Sequence, residues 1–264
     1  MALSWTLDKI GCLARSADDC GLVLHAIAGR DDADPSSARK SFYYAQQYYQ
    51  AFRDLRIGYN EIDFAQWPDE PLRAALANAL RVVKSIGSPM VETRLPDFPY
   101  GPVIGAIIDS EAASVFEHLI RSGEIDQLAD EGQIDGLKAS LAYTAVDYLK
   151  AMRVRAQIQA AFRDLFANVD VLVAPTRFSL QDRADQPFDE TPPKHPDEKG
   201  VGAGLVQASN LCGLPALTVP CGFANGLPVG VQFVGAPFSE NRLLAYGREF
   251  QARTDFHKQH PVVQ

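Results

Sequence analysis

The chain has 264 residues, 47% hydrophobic and 22% charged, which is enough to bury a sizeable core as one large α/β domain or two small ones. Its net charge of -8, with acidic and basic residues interspersed, argues against a nucleic-acid surface, because neutralising phosphates takes clustered Lys and Arg. No apolar run approaches the roughly 20 residues that span a bilayer, and Met1 to Asp8 has no basic stretch followed by an apolar one, so a cytoplasmic protein without a membrane partner is expected.

In chain order, Ser16-Ala17-Asp18-Asp19 is a capping box that opens a helix through Leu22, Leu24, Ile27 and Ala28, with Gly29 as its stop. Asp31 to Ser37 is a polar loop. Leu55 to Tyr59 reads as a short strand. Pro71 then sits in the first turn of a helix. Leu72, Ala75, Leu76, Ala79, Leu80 and Val83 form its apolar face, and Gly87 ends it. Met90 to Leu95 is a second strand, and a strand-helix-strand unit is expected to pair in parallel. Val103 to Arg121 and Thr144 to Asn168 read as long helices joined by a polar, Gly-containing segment. Val169 to Ala174 is an apolar strand stopped by Pro175. Arg177 to Gly204 has no periodicity, Ala203 to Leu211 looks helical, and Ala216 to Val219 and Val229 to Val234 look like strands. Ser239 to Arg253 makes a final helix with Leu243, Leu244 and Phe250 on its apolar side.

Short motifs give no self-contained active site. Ser37-Ala38-Arg39-Lys40 matches S-x-x-K but lacks the S-D-N and K-T-G companions, so a solvated loop turning into a helix is the better account. Gly200 to Gly204 has neither the G-x-G-x-x-G spacing nor a preceding strand, and reads as a glycine hinge. His257 and His260 lie in a polar tail, where a frayed terminus outweighs a metal pair, and His25 and His118 are isolated in helices. Phe42, Tyr43, Tyr44, Tyr48, Tyr49 and Phe52 suit packing better than base stacking. Cys12, Cys20, Cys212 and Cys221 lack zinc spacing and read as reduced, structural thiols. Arg153 and Arg155 lie among apolar residues in a helix, either snorkelling outward or pairing with an acid or an anionic ligand. No cofactor or metal is expected.

Longer segments in fixed order carry more. Leu3-Ser4-Trp5-Thr6-Leu7-Asp8-Lys9-Ile10-Gly11, with Arg15-Ser16, resembles the "S-x-D-x-x-G-P-x-x-R-S/T" segment just downstream of the serine-rich signature of amidase-signature enzymes. Asp31 with Asp34-Pro35, Leu55-Arg56-Ile57-Gly58, Ser110-Glu111-Ala112 and Asp170 through Pro175-Thr176 are similar to later segments of that family. The most specific stretch is Asn210-Leu211-Cys212-Gly213-Leu214-Pro215-Ala216, continuing through Gly226-Leu227-Pro228 to Gly235. The last of these suggests a hairpin. Cys12 stands where the family usually has Pro.

The resemblance implies an α/β fold: the C-terminal part of an α/β/α sandwich, with a mixed, twisted sheet covered by helices over residues 1–264. It implies hydrolysis or transfer of carboxylic amide C–N bonds by a Ser nucleophile, a second Ser in a cis peptide and a Lys. In the family those three precede the segment matching Leu3 to Ser16, so no residue of this chain is assigned a triad role, and inactivity alone is expected. A substrate role falls on Arg155, matched by position to an Arg near an amide donor's carboxylate, and on Thr176. Gly105 and Ile104 stand where the tRNA-dependent amidotransferases of the family have a Tyr, which favours a general amidase over a glutamine-specific one. The expected partners are a small-molecule amide in a completed site, and either a separate N-terminal half or a second copy. A non-catalytic binding or regulatory module is the alternative.

Overall fold

The structure, a computed structural model, describes residues 3–34, 37–45, 52–67, 69–177, 201–202 and 204–260. Five strands form one mixed sheet in the order β2-β1-β3-β5-β4: β1 Ile57–Tyr59, β2 Met90–Glu92, β3 Val171–Pro175, β4 Ala216–Ala224 and β5 Leu227–Gly235. The first three are parallel, as expected of β1 and β2 on either side of a helix, and β5 runs antiparallel to both of its neighbours. The helices are α1 Ala17–Ile27, α2 Ile62–Ala65, α3 Glu70–Ser85, α4 Tyr100–Ser122, α5 Glu131–Ser140, α6 Ala145–Asn168, α7 Leu205–Cys212 and α8 Glu240–Ala252.

All five residues of β3 are buried, because both faces of the sheet are covered. Alternation along the strand sorts its side chains. Val171 and Val173 join Ile57, Val231 and Phe233 in a core with Leu76, Leu80 and Val83 of α3 and Leu243, Tyr246 and Phe250 of α8. Leu172 and Ala174 face the opposite layer with Val103 and Ile107 of α4, Ile158 and Phe162 of α6, and Leu205 and Leu211 of α7. Asp170 aligns β3 on β1: its carboxylate accepts from the Arg56 backbone N–H at 2.9 Å and from Arg56 Nε at 3.0 Å, and its own N–H donates to the Arg56 carbonyl at 2.8 Å.

Several boundaries differ from those read in the sequence. Pro175 does not stop β3; it is the last strand residue, opposite Val231. β1 pairs with β3 only as far as Leu172, so a missing N–H at Pro175 breaks no bond on that side. The second strand ends at Glu92 rather than Leu95. The polar segment between the long helices holds α5, opened by Asp130, which caps the Gln133 N–H. β4 runs five residues past Val219, with an irregularity at Pro220/Gly222, and turns into β5 through Asn225 and Gly226, both at positive φ. Ser37 to Lys40 does not become a helix; the Lys40 amine lies 4.0 Å from the centroid of the Phe238 ring. Most of Arg177 to Gly204, and Tyr48 and Tyr49, lie outside the described residues.

At the β4 irregularity α3 comes very close. A Cβ built on Gly222 would stand 2.9 Å from the Cβ of Ala75 and 3.5 Å from its Cα, and alanine has no flexible end to move aside. Gly222→Ala is therefore expected to lose about 1–3 kcal/mol of stability in urea unfolding. An unchanged midpoint would contradict this packing of α3 on β4.

Candidate functional site

Along the edge of the α4/α6/α7 layer, the segment Leu3–Lys9 crosses three helices. Its turn is locked locally: the Leu7 and Asp8 N–H groups donate to the Ser4 carbonyl at 2.9 and 2.7 Å, and the Asp8 carboxylate accepts from the Leu3 and Ser4 N–H groups. Leu7 enters the core beneath this layer.

Glu111, on α4, receives this turn. Its carboxylate is 2% exposed and takes hydrogen bonds from Ser4 Oγ, from Thr6 Oγ1 at 2.7 Å, from the Thr6 N–H at 3.4 Å and from Tyr148 OH of α6 at 3.0 Å. A carboxylate almost never goes inside without such compensation. Burial, followed by the Glu111 carboxylate, raises the Tyr148 phenol above its ordinary range.

Arg155, on α6, takes the other side of Thr6. Nη1 donates to Thr6 Oγ1 at 2.9 Å, Nη2 to the Thr6 carbonyl at 2.7 Å, and Nε to the Leu211 carbonyl at 2.8 Å. Gln159, one turn further along α6, donates to the same Leu211 oxygen at 3.1 Å. Both therefore satisfy the Leu211 carbonyl, one of those that the end of α7 cannot pair internally. Burial lowers the Arg155 guanidinium, while Glu111, Cys212 and Tyr148 act in the opposite direction.

Lys9 closes the group. Although much of its side chain is exposed, its amine donates to the Ser209 carbonyl of α7 at 2.7 Å. Burial pushes that amine down to about 8; Cys212 opposes the change and Arg155 reinforces it. Burial also pushes the Cys212 thiol up to about 11, against the pull of Arg155, Lys9 and Arg163. The Ser209 hydroxyl is buried without a hydrogen-bond partner among the described residues. Cys212 borders a cavity of about 370 Å³ whose other walls are Gln159, Phe162, Arg163, Phe166 and Ala167 of α6, with Leu214, Ala236 and Pro237. It is an apolar hollow with an amide and a guanidinium on its rim, suited to a small organic molecule.

The two residues singled out in the sequence have different surroundings. Arg155 is at the centre of the cluster. Thr176 follows the end of β3, where its N–H donates to the Gly230 carbonyl at 3.0 Å and its hydroxyl is buried without a partner among the described residues. Glu111, Lys9, Gln159 and Ser209 were not picked out as site residues. No local pattern marks Glu111 as buried, because Asp109, Ser110 and Ser114 beside it are polar too; its one signal is the Ser110-Glu111-Ala112 resemblance. His257 lies in a short 3₁₀ turn, and no group of three or more His, Cys, Asp or Glu among the described residues could hold a metal ion. No helix among them is long and apolar enough to cross a membrane.

A base whose folded pKa lies below its unfolded value binds fewer protons when folded. The Lys9 contribution to stability should thus rise with pH between about 8 and the ordinary 10.5. Following the Lys9 ε-carbon by NMR, with Lys9→Arg for assignment, should give a midpoint near 8. A midpoint at 10.5 would mean that the amine is not held against α7.

The family model described as Amidase matches residues 1–244. The chain is 32% identical over 289 aligned residues to the A component of the glutamyl-tRNA(Gln) amidotransferase of Halorhodospira halophila, covering 99% of this chain and 58% of that one. Its fold is similar to the crystal structure of the same component from Thermotoga maritima, with a TM-score of 0.74, 22% identity, and coverage of 96% of this chain and 54% of that one. It is also similar to a bacterial aryl acylamidase, with a TM-score of 0.75, 19% identity, and coverage of 94% and 55%. The chain thus spans somewhat over half the length of the relatives it matches.

Proposed function

The chain belongs to the amidase-signature family, and on that premise we propose that residues 1–264 form the C-terminal part of an amidase domain, supplying scaffold and one wall of a pocket where an amide C–N bond is hydrolysed or transferred. The observation that carries this reading is the extent of the match: residues 1–244 fit the family, while the chain spans only 58% of a full-length relative. The Ser nucleophile, bridging Ser and Lys of the family are assigned to a segment outside these residues. Among the described residues, lysine amines donate to a backbone carbonyl or to carboxylates, and none to a serine hydroxyl.

Arg155 and Thr176 are assigned to the pocket wall. Three of the five N–H donors of Arg155 hold Thr6 and Leu211, and the proposal gives the remainder to a substrate carbonyl or carboxylate. The buried Thr176 hydroxyl, without a partner among the described residues, is assigned to a group that the completed pocket supplies.

The partner half is assigned to the outer face of α1 and to the segment before that helix, residues 3–16, an apolar strap. There Trp5 is 61%, Ile10 88%, Leu13 104% and Leu22 58% exposed, and large apolar side chains left in water on one stretch of chain suit a surface that meets another. The substrate is a small carboxylic amide, and a general amidase is preferred to a glutamine-specific enzyme.

The test is ammonia release from simple amides, by the purified chain alone and after adding a polypeptide that carries the remaining part of the family fold. The chain alone should leave the amides intact, and the mixture should turn them over. Turnover by the chain alone that survives repeated purification would contradict the assignment of the chemistry elsewhere.

A further inference from the structure

Four cysteines are present, and two of them meet. Cys12 lies in the extended strap before α1, and Cys20 lies in the first turns of that helix. The Ser16 cap folds the strap back onto the helix: the Cys20 N–H donates to the Ser16 carbonyl at 3.1 Å, and the Ser16 hydroxyl accepts from the Asp19 N–H. This return brings the Cys12 thiol to the Cys20 carbonyl, with Sγ 3.6 Å from the oxygen. The Cys12 side chain therefore lies against the residue that carries the second thiol. Both thiols are partly exposed, whereas Cys221 is fully buried and Cys212 stands apart beside Lys9 and Arg155.

We propose that Cys12 and Cys20 are a modification site, a dithiol that a small-molecule disulfide such as glutathione disulfide converts into an intrachain disulfide, stapling the strap to α1. A metal-binding role is the weaker use of this pair, because no third His, Cys, Asp or Glu among the described residues completes a ligand set. The proposal is independent of the amide chemistry.

The chemistry balances in two exchanges. One protein thiolate attacks glutathione disulfide, forming a mixed disulfide and releasing one glutathione thiolate. The second protein thiolate then attacks the protein sulfur of that mixed disulfide, forming the Cys12–Cys20 bond and releasing the second glutathione. The protein loses two electrons and two thiol protons, and one glutathione disulfide is reduced to two thiols.

Burial, and then the Cys12 thiol, push the Cys20 thiol up to about 11, with Asp19 adding to the shift and the Ala14 N–H opposing it. Little thiolate is present at neutral pH, so the experiment uses mildly alkaline buffer. The folded chain is incubated with glutathione disulfide, quenched in acid, alkylated and digested with trypsin. Cleavage at Arg15 separates the two cysteines unless they are joined.

The expected product is a Cys12 peptide linked to a Cys20 peptide, carrying no glutathione and released by dithiothreitol. Cys12→Ser and Cys20→Ser should each abolish the linked pair. Glutathione retained on either cysteine of the unsubstituted chain without progress to the link would overturn the proposal. So would two free thiols in the folded chain under conditions that oxidise it in urea, or a link from either cysteine to Cys212.

Discussion

Glu111 sits against a layer built mainly from leucine, valine, isoleucine, alanine and aromatic side chains, and at 2% exposure it has lost nearly all of its water. The cost of that desolvation is met by Ser4, Thr6 and Tyr148, which surround both carboxylate oxygens, with Arg155 on the far side of Thr6. None of these contacts is local in sequence; the shortest separation to Glu111 is 37 residues and the longest is 107. The carboxylate therefore fixes where the amino-terminal segment lies relative to α4 and α6, and Arg155 extends that registration to the end of α7. Lys9, carried on the same segment, is delivered to Ser209 as a consequence. Hydrogen bonds to a charged group are worth about 1.5–3 kcal/mol each, and a carboxylate left without them would be strongly destabilising, so the segment and the helices stand or fall together.

This arrangement explains why chemistry-bearing side chains gather in a region that reads in the sequence as scaffold. Desolvation moves Lys9 and Cys212 toward their neutral forms, and both border the same stretch of α7. Of the two, Cys212 borders the apolar hollow, whose rim also carries the Gln159 amide and the Arg163 guanidinium. The exposed apolar strap lies on the same amino-terminal stretch, so the segment held by Glu111 faces the core through Leu7 and solvent through Trp5 and Ile10.

Much of the fold was legible because its periodicities are local. The apolar face of α3, the Ser16 cap, and the parallel pairing of β1 and β2 follow from side-chain spacing and short connections. Helix α5 was missed because it has little apolar face, with Ser140 its one buried residue, and its cap Asp130 lies in a run of polar residues that reads as loop. The extent of β3 was misjudged at Pro175, where the outcome depends on whether a neighbouring strand is present at that level. The candidate site was less legible. Arg155 was visible as a cation in an apolar helix, but its partners Thr6 and Leu211 are 149 and 56 residues away. Glu111 was visible only through a family resemblance, and the proximity of Cys12 to Cys20 depends on a strap whose return is set by a single cap.

Native-state hydrogen exchange tests directly whether Glu111 holds the amino-terminal turn. The Leu7 and Asp8 amides donate to Ser4, so they exchange only when that turn opens. In the native chain they should be protected, and Glu111→Gln should accelerate their exchange on the order of 10- to 100-fold, the equivalent of one charge-assisted hydrogen bond. The amides of β3 should be affected no more than any loss of global stability requires. Equal exchange of Leu7 and Asp8 in the two proteins would show that the turn is held by something other than Glu111.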